Sequence, residues 1–199
     1  MRLIIMSLLK DFETGSIYEE IYKKLWETKR VLYLNSEIDE NCVDMIAIPI
    51  LLTNELESDI PTDKLKPITI WISSYGGSAD ICAYLVDIIE KSRIPIHAKI
   101  LSVAASAGLY IALSCKYRIA SSNSIFLLHK GSISLGNTNV AEAEDIISFY
   151  KDEVGKVFDD LILRRTKISA EELKKIRRNE TYCLAQEAKD VYGFIDEIV

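Results

Sequence analysis

Ile68-Thr69-Ile70-Trp71-Ile72-Ser73-Ser74-Tyr75-Gly76-Gly77-Ser78 is the stretch on which the fold turns. Its first six residues are mostly β-branched or aromatic and end in turn residues, which predicts a strand. Two glycines follow, and then Ala79 to Ser92 carries apolar residues at helical spacing. Ile94 to Leu101 reads as the next strand. Strand, glycine turn, helix and strand in this order predict a parallel pair joined by a right-handed crossover.

The same alternation continues outward. Downstream, Ala105 to Ser114 reads as a helix of small residues, with short strands at Tyr117 to Ala120 and Ser124 to Leu128. A long helix is predicted over 139–165, with Val140, Ala143, Ile147, Tyr150, Val154, Val157 and Leu161 on one face. It exceeds what a compact core requires, so it is expected to project and meet another subunit. Ser169 with Glu172 is a capping-box pattern that opens a further helix. A small helix near Ala185 to Lys189 and a strand at Phe194 to Val199 close the chain. Upstream, Ile17 to Arg30 forms an amphipathic helix and Val31 to Leu34 a strand. Asn41 to Leu56 reads as a mostly buried helix that Pro49 should kink. The expected class is α/β with a parallel-rich sheet, as one domain over 1–199 with an N-terminal segment at 1–16.

Bulk properties narrow the function classes. The chain has 199 residues, 49% hydrophobic and 27% charged, with a net charge of -6. That balance offers no basic face, so nucleic acid is not an expected partner. No apolar run is long enough to span a membrane, and the start lacks a signal-peptide cleavage pattern. A soluble cytoplasmic protein is expected. Cys42, Cys82, Cys115 and Cys183 are scattered without a CxxC pair, which argues for buried free thiols rather than a zinc site or disulfide framework. No metal site is expected.

Chemistry-bearing residues fall at the element junctions. Ser106, in Val103-Ala104-Ala105-Ser106-Ala107-Gly108, stands where a strand gives way to a helix. Free amides and the helix dipole favour developing negative charge there. On its own, that serine also fits ordinary helix capping. Gly76-Gly77 can expose backbone N–H groups as an oxyanion hole, or be a plain turn. Neither GxGxxG nor GxxxxGK[ST] is present, so no nucleotide site is implied. Of the two histidines, His129 follows a strand at the edge where α/β sheets bind ligands, whereas His97 lies inside one and is expected to pack or to cap an edge. A nucleophilic serine needs a base, an orienting group and oxyanion donors, and each has a candidate here.

Taken together, these segments resemble the proteolytic subunits of the Clp protease (ClpP). Trp71 to Gly77 stands against the family's I-N-S-P-G-G, and Ala104 to Gly108 against A-A-S-M-G. Arg118 to Ser124 and then His129 match R-F-x-L-P-N-S and the family's histidine. Ala185 to Ala188 with Tyr192 to Asp196 lies close to S-A-x-E-A-x-x-Y-G-L-I-D. The resemblance implies the fold shared by Clp-type peptidases and crotonases, with 139–165 as a projecting handle helix. It also implies a serine endopeptidase cutting unfolded polypeptides inside an oligomeric chamber. Ser106 would be the nucleophile and His129 the general base, with the Gly77 and Ala107 N–H groups as the oxyanion hole. Residues 131–138 would pair with an extended substrate. Trp71 would lie in a surface pocket for an AAA+ unfoldase, homo-oligomeric heptameric rings would enclose the sites, and no cofactor would be needed, ATP being used only by the partner.

Three departures qualify the match. The family's third triad member is the Asp of R-D-x-F; here Arg178-Asn179-Glu180-Thr181-Tyr182 puts Glu180 in that place, with Asn179 as the next candidate. Lys130-Gly131 replaces the usual Gln-Pro after the histidine. The acidic and basic pair that joins rings is not kept. Alternative readings are a phage-type head-maturation peptidase of the same clan and a catalytically silent ring subunit. A crotonase-type hydratase would not need the serine and histidine together.

Overall fold

The computed structural model describes residues 17–129, 131, 137–176 and 179–199. The segment 1–16, most of the expected substrate strand, and Arg177 with Arg178 lie outside the described residues. The elements that matter here are α1 (Ile17–Lys29), β1 (Val31–Leu34), α2 (Ile48–Leu56), β2 (Ile68–Ser74), α3 (Ala79–Lys91), β3 (Ile96–Ala105) and α4 (Ala107–Ser114). They continue with β4 (Tyr117–Ala120), β5 (Ile125–Leu128), α5 (Val140–Phe149), α6 (Gly155–Arg165), α7 (Ala170–Ile176), β6 (Thr181–Leu184) and, after a short helical turn, β7 (Glu197–Ile198).

The strands form one seven-stranded sheet in the order β1-β2-β3-β4-β7, and β3 also pairs with β5, which pairs with β6. Every pairing is parallel except β5 with β6. This is the mixed α/β, parallel-rich architecture expected from residues 68–101. β3 is longer than its predicted span and forks. His97 to Ile100 pair with β4, and Val103 to Ala105 pair with β5. The switch is made by a tight turn in which the Ser121 N–H (3.0 Å) and the Ser124 hydroxyl (3.2 Å) both donate to the Ile100 carbonyl.

Period-two burial decides which face is core. Ile68, Ile70, Ile72 and Ser74 of β2 are buried, and so are Ile96, Ala98 and Ile100 of β3. The alternate residues are half-buried on the other face, where Tyr33 meets Trp71 edge-on and Lys99 Nζ lies 5.7 Å from the Trp71 ring. His97 packs edge-on against Tyr117, as expected of a histidine inside a strand. All four cysteines are free and buried; burial pushes the Cys82 thiol up, and the Cys115 and Cys183 thiols to about 12, so none is a ready nucleophile.

Two helices differ from expectation. Ahead of Pro49 the chain makes a π turn at Val43–Ala47 and only then runs into α2 with proline at its start. A wider turn relieves the clash between the proline ring and the preceding carbonyls, so the helix widens where a kink was expected. Nor is it mostly buried: Met45, Ile48, Leu51 and Leu52 are exposed. The long helix is likewise broken by a π turn at Tyr150–Val154. One extra residue there rotates α6 by about 100° relative to α5. Val157 is therefore exposed and its neighbour Phe158 buried, whereas α5 buries nothing. The predicted capping box is present, Ser169 and Glu172 bonding reciprocally, and Asn139 adds a cap to α5 by accepting from the Glu142 N–H at 3.0 Å. Tyr150 OH lies 2.9 and 2.8 Å from the two Asp80 oxygens, which ties this arm to the first turn of α3.

Several of the family matches are explained by packing. Arg118 is buried and meets Asp196 through two guanidinium nitrogens, at 3.2 and 2.9 Å, while its NH1 donates to the Arg165 carbonyl. The Arg118 backbone N–H also donates to Asp196 at 2.8 Å, which fastens the last strand to β4. Asp196→Ala leaves a buried guanidinium with one acceptor. It should cost about 2–4 kcal/mol by urea denaturation, less than for a deep pair because Asp196 is 34% exposed. An unchanged midpoint would show that the pair contributes nothing.

Candidate active site

β3 ends at Ala105 and α4 begins at Ala107, so one residue must turn a strand into a helix. Ser106 does this with φ 53 and ψ -123. A non-glycine residue in such a conformation costs about 1–3 kcal/mol, which the surroundings must supply. They do so through its backbone. The Ser106 N–H donates to the Leu127 carbonyl at 2.9 Å, and its carbonyl accepts from Leu109 at 3.0 Å. α4 is buried along its length, so the turn cannot swing outward. The hydroxyl takes no part: it makes no capping bond and has no partner among the described residues. Ser78, by contrast, caps α3 by accepting from the Ile81 N–H. Helix capping therefore does not account for Ser106.

The glycine turn is built around that serine. Gly76 has φ 108, and a Cβ on it would fall 2.7 Å from Ser106 Cβ and 3.1 Å from Ala107 N. The Gly76 carbonyl accepts from Ile38 N–H at 2.8 Å, and Ser78 N–H donates to the Ile38 carbonyl at 2.7 Å. This short parallel bridge holds the residues on either side of Gly77, so the Gly77 amide faces away from Ile38. Gly77 has φ 151, and a Cβ there would strike the Ile38 backbone at 2.4 Å. The N–H groups of Gly77 and Ala107 have no acceptor among the described residues. Two open amides thus flank an unengaged hydroxyl, at the start of a helix whose dipole favours negative charge.

His129 reaches the same corner through register. Leu127 pairs with Ala105 and accepts the Ser106 N–H, so His129 stands two residues beyond the carbonyl that pins the serine. Adjacent strands lie about 4.8 Å apart, which leaves side chains one step apart within reach. In this conformation the half-buried imidazole makes no hydrogen bond to Ser106 Oγ. On the other side of β5, Leu128 faces Thr181 and Leu127 faces Tyr182. One step outward along this antiparallel pair brings Glu180 level with His129 and on its face. Glu180 is exposed, and its Oε2 accepts from Tyr182 OH at 3.1 Å. That bond holds the Tyr182 phenol above its ordinary value. Asn179 still belongs to the turn that ends α7, its N–H donating to the Ile176 carbonyl.

β6, which carries Glu180 to this position, was missed from the sequence, as was Tyr182. The signal was four residues alternating Thr-Tyr-Cys-Leu, too short to stand out beside the polar run before it. Among the described residues no group of His, Cys, Asp and Glu could hold a metal ion, and no helix is long and apolar enough to cross a membrane.

Comparison with known proteins gives the family of the chain. A profile of the Clp protease family matches residues 13–199. "ATP-dependent Clp protease proteolytic subunit 2" of Prochlorococcus marinus (strain MIT 9312) is 28% identical over 193 residues, covering 93% of this chain and 89% of its own. The protein of the same description from Corynebacterium jeikeium (strain K411) is 26% identical over 200 residues, covering 100% of this chain and 91% of its own. "ATP-dependent Clp protease proteolytic subunit 1" of Cutibacterium acnes is 26% identical, with 89% and 80% covered. A match running from before α1 to the last residue leaves no part of the described fold outside it, and this chain belongs to the Clp protease family, a family of serine-type endopeptidases.

Proposed function

We propose that the chain hydrolyses unfolded polypeptides with Ser106 as nucleophile, His129 as general base, Glu180 as the group that orients the imidazole, and the Gly77 and Ala107 amides as the oxyanion hole. The observation that carries this reading is the strained Ser106 turn, wedged against Gly76 and bonded through its own N–H to the strand that delivers His129. Catalytic hydrogen bonds that are open without substrate commonly tighten when substrate binds, so the open hydroxyl and imidazole are compatible with this reading.

Each step then rests on the chemistry of the groups. As Ser106 Oγ bonds to the scissile carbonyl carbon, its proton passes to His129. The carbonyl oxygen becomes an oxyanion between the two amides. The tetrahedral adduct collapses, the C–N bond breaks, and the imidazolium protonates the leaving amine. Water, deprotonated by His129, hydrolyses the acyl-enzyme and restores Ser106.

The chain also works, on this reading, as a homo-oligomer of heptameric rings fed by an ATP-driven unfoldase. Exposed apolar side chains on α2 (Ile48, Leu51, Leu52) and on the α5–α6 arm (Val140, Ile147, Phe149, Val157) support burial against further copies. The open sheet face with Tyr33, Trp71 and Lys99 is where the unfoldase would dock. The name of the Prochlorococcus marinus relative, ATP-dependent Clp protease proteolytic subunit 2, supports the same division of labour.

The test is covalent. The assembled protein, treated with an alkyl fluorophosphonate and digested for mass spectrometry, should carry the adduct on Ser106. A folded, assembled sample with no adduct would leave the chain as a silent ring subunit, a reading favoured by the open Ser106–His129 pair and by the non-Asp acid.

A further inference from the structure

We propose that Tyr182 is a positioning residue of this site, holding one oxygen of Glu180 so that the other is presented to His129. The inference rests on the assignment of Ser106 and His129 above. Its geometric basis is the alternation of β6. Tyr182 faces Leu127, and Glu180, two residues earlier, shares its side of the strand and falls level with His129. Tyr182 OH donates to Glu180 Oε2 at 3.1 Å.

Among the described residues the phenol has no other role. The ring is 61% exposed, outside the core, and its hydroxyl makes no other bond among the described residues. Its contribution comes from the length of the acid. Glutamate has one more rotatable bond than aspartate, so an exposed Glu180 samples many carboxylate positions that do not meet an imidazole nitrogen. A donor fixed to the same strand two residues away restricts that arc. It takes one carboxylate oxygen and leaves the other for the ring. The matching family pattern has Asp and Phe in these two places, so the longer acid and the hydroxyl that steadies it occur together in this chain.

The experiment uses the full chain, assembled, in four forms: wild type, Tyr182→Phe, Glu180→Gln and the double variant. Three quantities are read: kcat and KM on a fluorogenic peptide, and the rate of fluorophosphonate labelling of Ser106. Tyr182→Phe should lower kcat and the labelling rate about tenfold, the scale of losing one hydrogen bond to a charged group, with KM within about twofold. In the Glu180→Gln background the same change should have no further effect, because the carboxylate it positions is gone. A packing role would give the same loss in both backgrounds, and multiplicative losses would overturn the proposal. So would unchanged rates in Tyr182→Phe when wild type labels at Ser106. Failure of wild type to label would instead bring down the catalytic assignment, and this inference with it.

Discussion

Replacing Ser106 by alanine is expected to lower kcat for peptide cleavage by about six orders of magnitude, the loss seen when a serine triad loses its nucleophile. The hydroxyl has no bond to surrender among the described residues, and alanine keeps the Cβ that meets Gly76, so unfolding by heat or urea should be unchanged. A residual rate above the uncatalysed reaction, about 10³-fold, should persist because the oxyanion donors remain. Steady-state cleavage of a fluorogenic peptide, read beside a melting curve, separates the two effects. Cleavage retained within tenfold of wild type would mean that another group attacks the substrate.

The second large effect is expected at Gly76, which makes no chemical contribution of its own. An alanine methyl there would lie 2.7 Å from Ser106 Cβ, closer than carbon atoms pack, on a backbone with φ 108. The turn or the nucleophile must shift by a large part of an ångström. Misplacement of that order costs about 10²-fold, and losing an oxyanion donor costs about 10²–10³. Gly76→Ala should therefore reduce kcat about 10²- to 10³-fold with little change in KM. Stability should fall by about 1–3 kcal/mol from the forced φ. Full activity in a stably folded Gly76→Ala protein would show that the two turns do not form one site.

The fold was legible because β2, α3 and β3 carry strong periods that burial then respected, Ile68, Ile70 and Ile72 facing inward in strict alternation. Less legible were features that depend on distant partners. β3 runs four residues past its predicted end because Val103 to Ala105 find β5 as a second neighbour, which no local propensity announces. The π turns before Pro49 and within the long helix leave no periodic trace, and the second one moved the buried face from Val157 to Phe158. At the site, Ser106 and His129 stood out by residue type and position. The positive φ of Ser106 was not readable, since serine ordinarily avoids it. Glu180 could be placed only by analogy until the pairing of β5 with β6 put it level with His129.

The forked strand makes the loop between β4 and β5 a molecular ruler. Ser121 and Ser124 both anchor to the Ile100 carbonyl, and from there the chain counts five residues to His129 along β5. A single insertion in that count would slide the imidazole about 3.3 Å and point it through the opposite side of the sheet. Surface loops such as that near Pro61 can change length without touching the site, whereas a change of one residue between Ser124 and His129 displaces the imidazole from it.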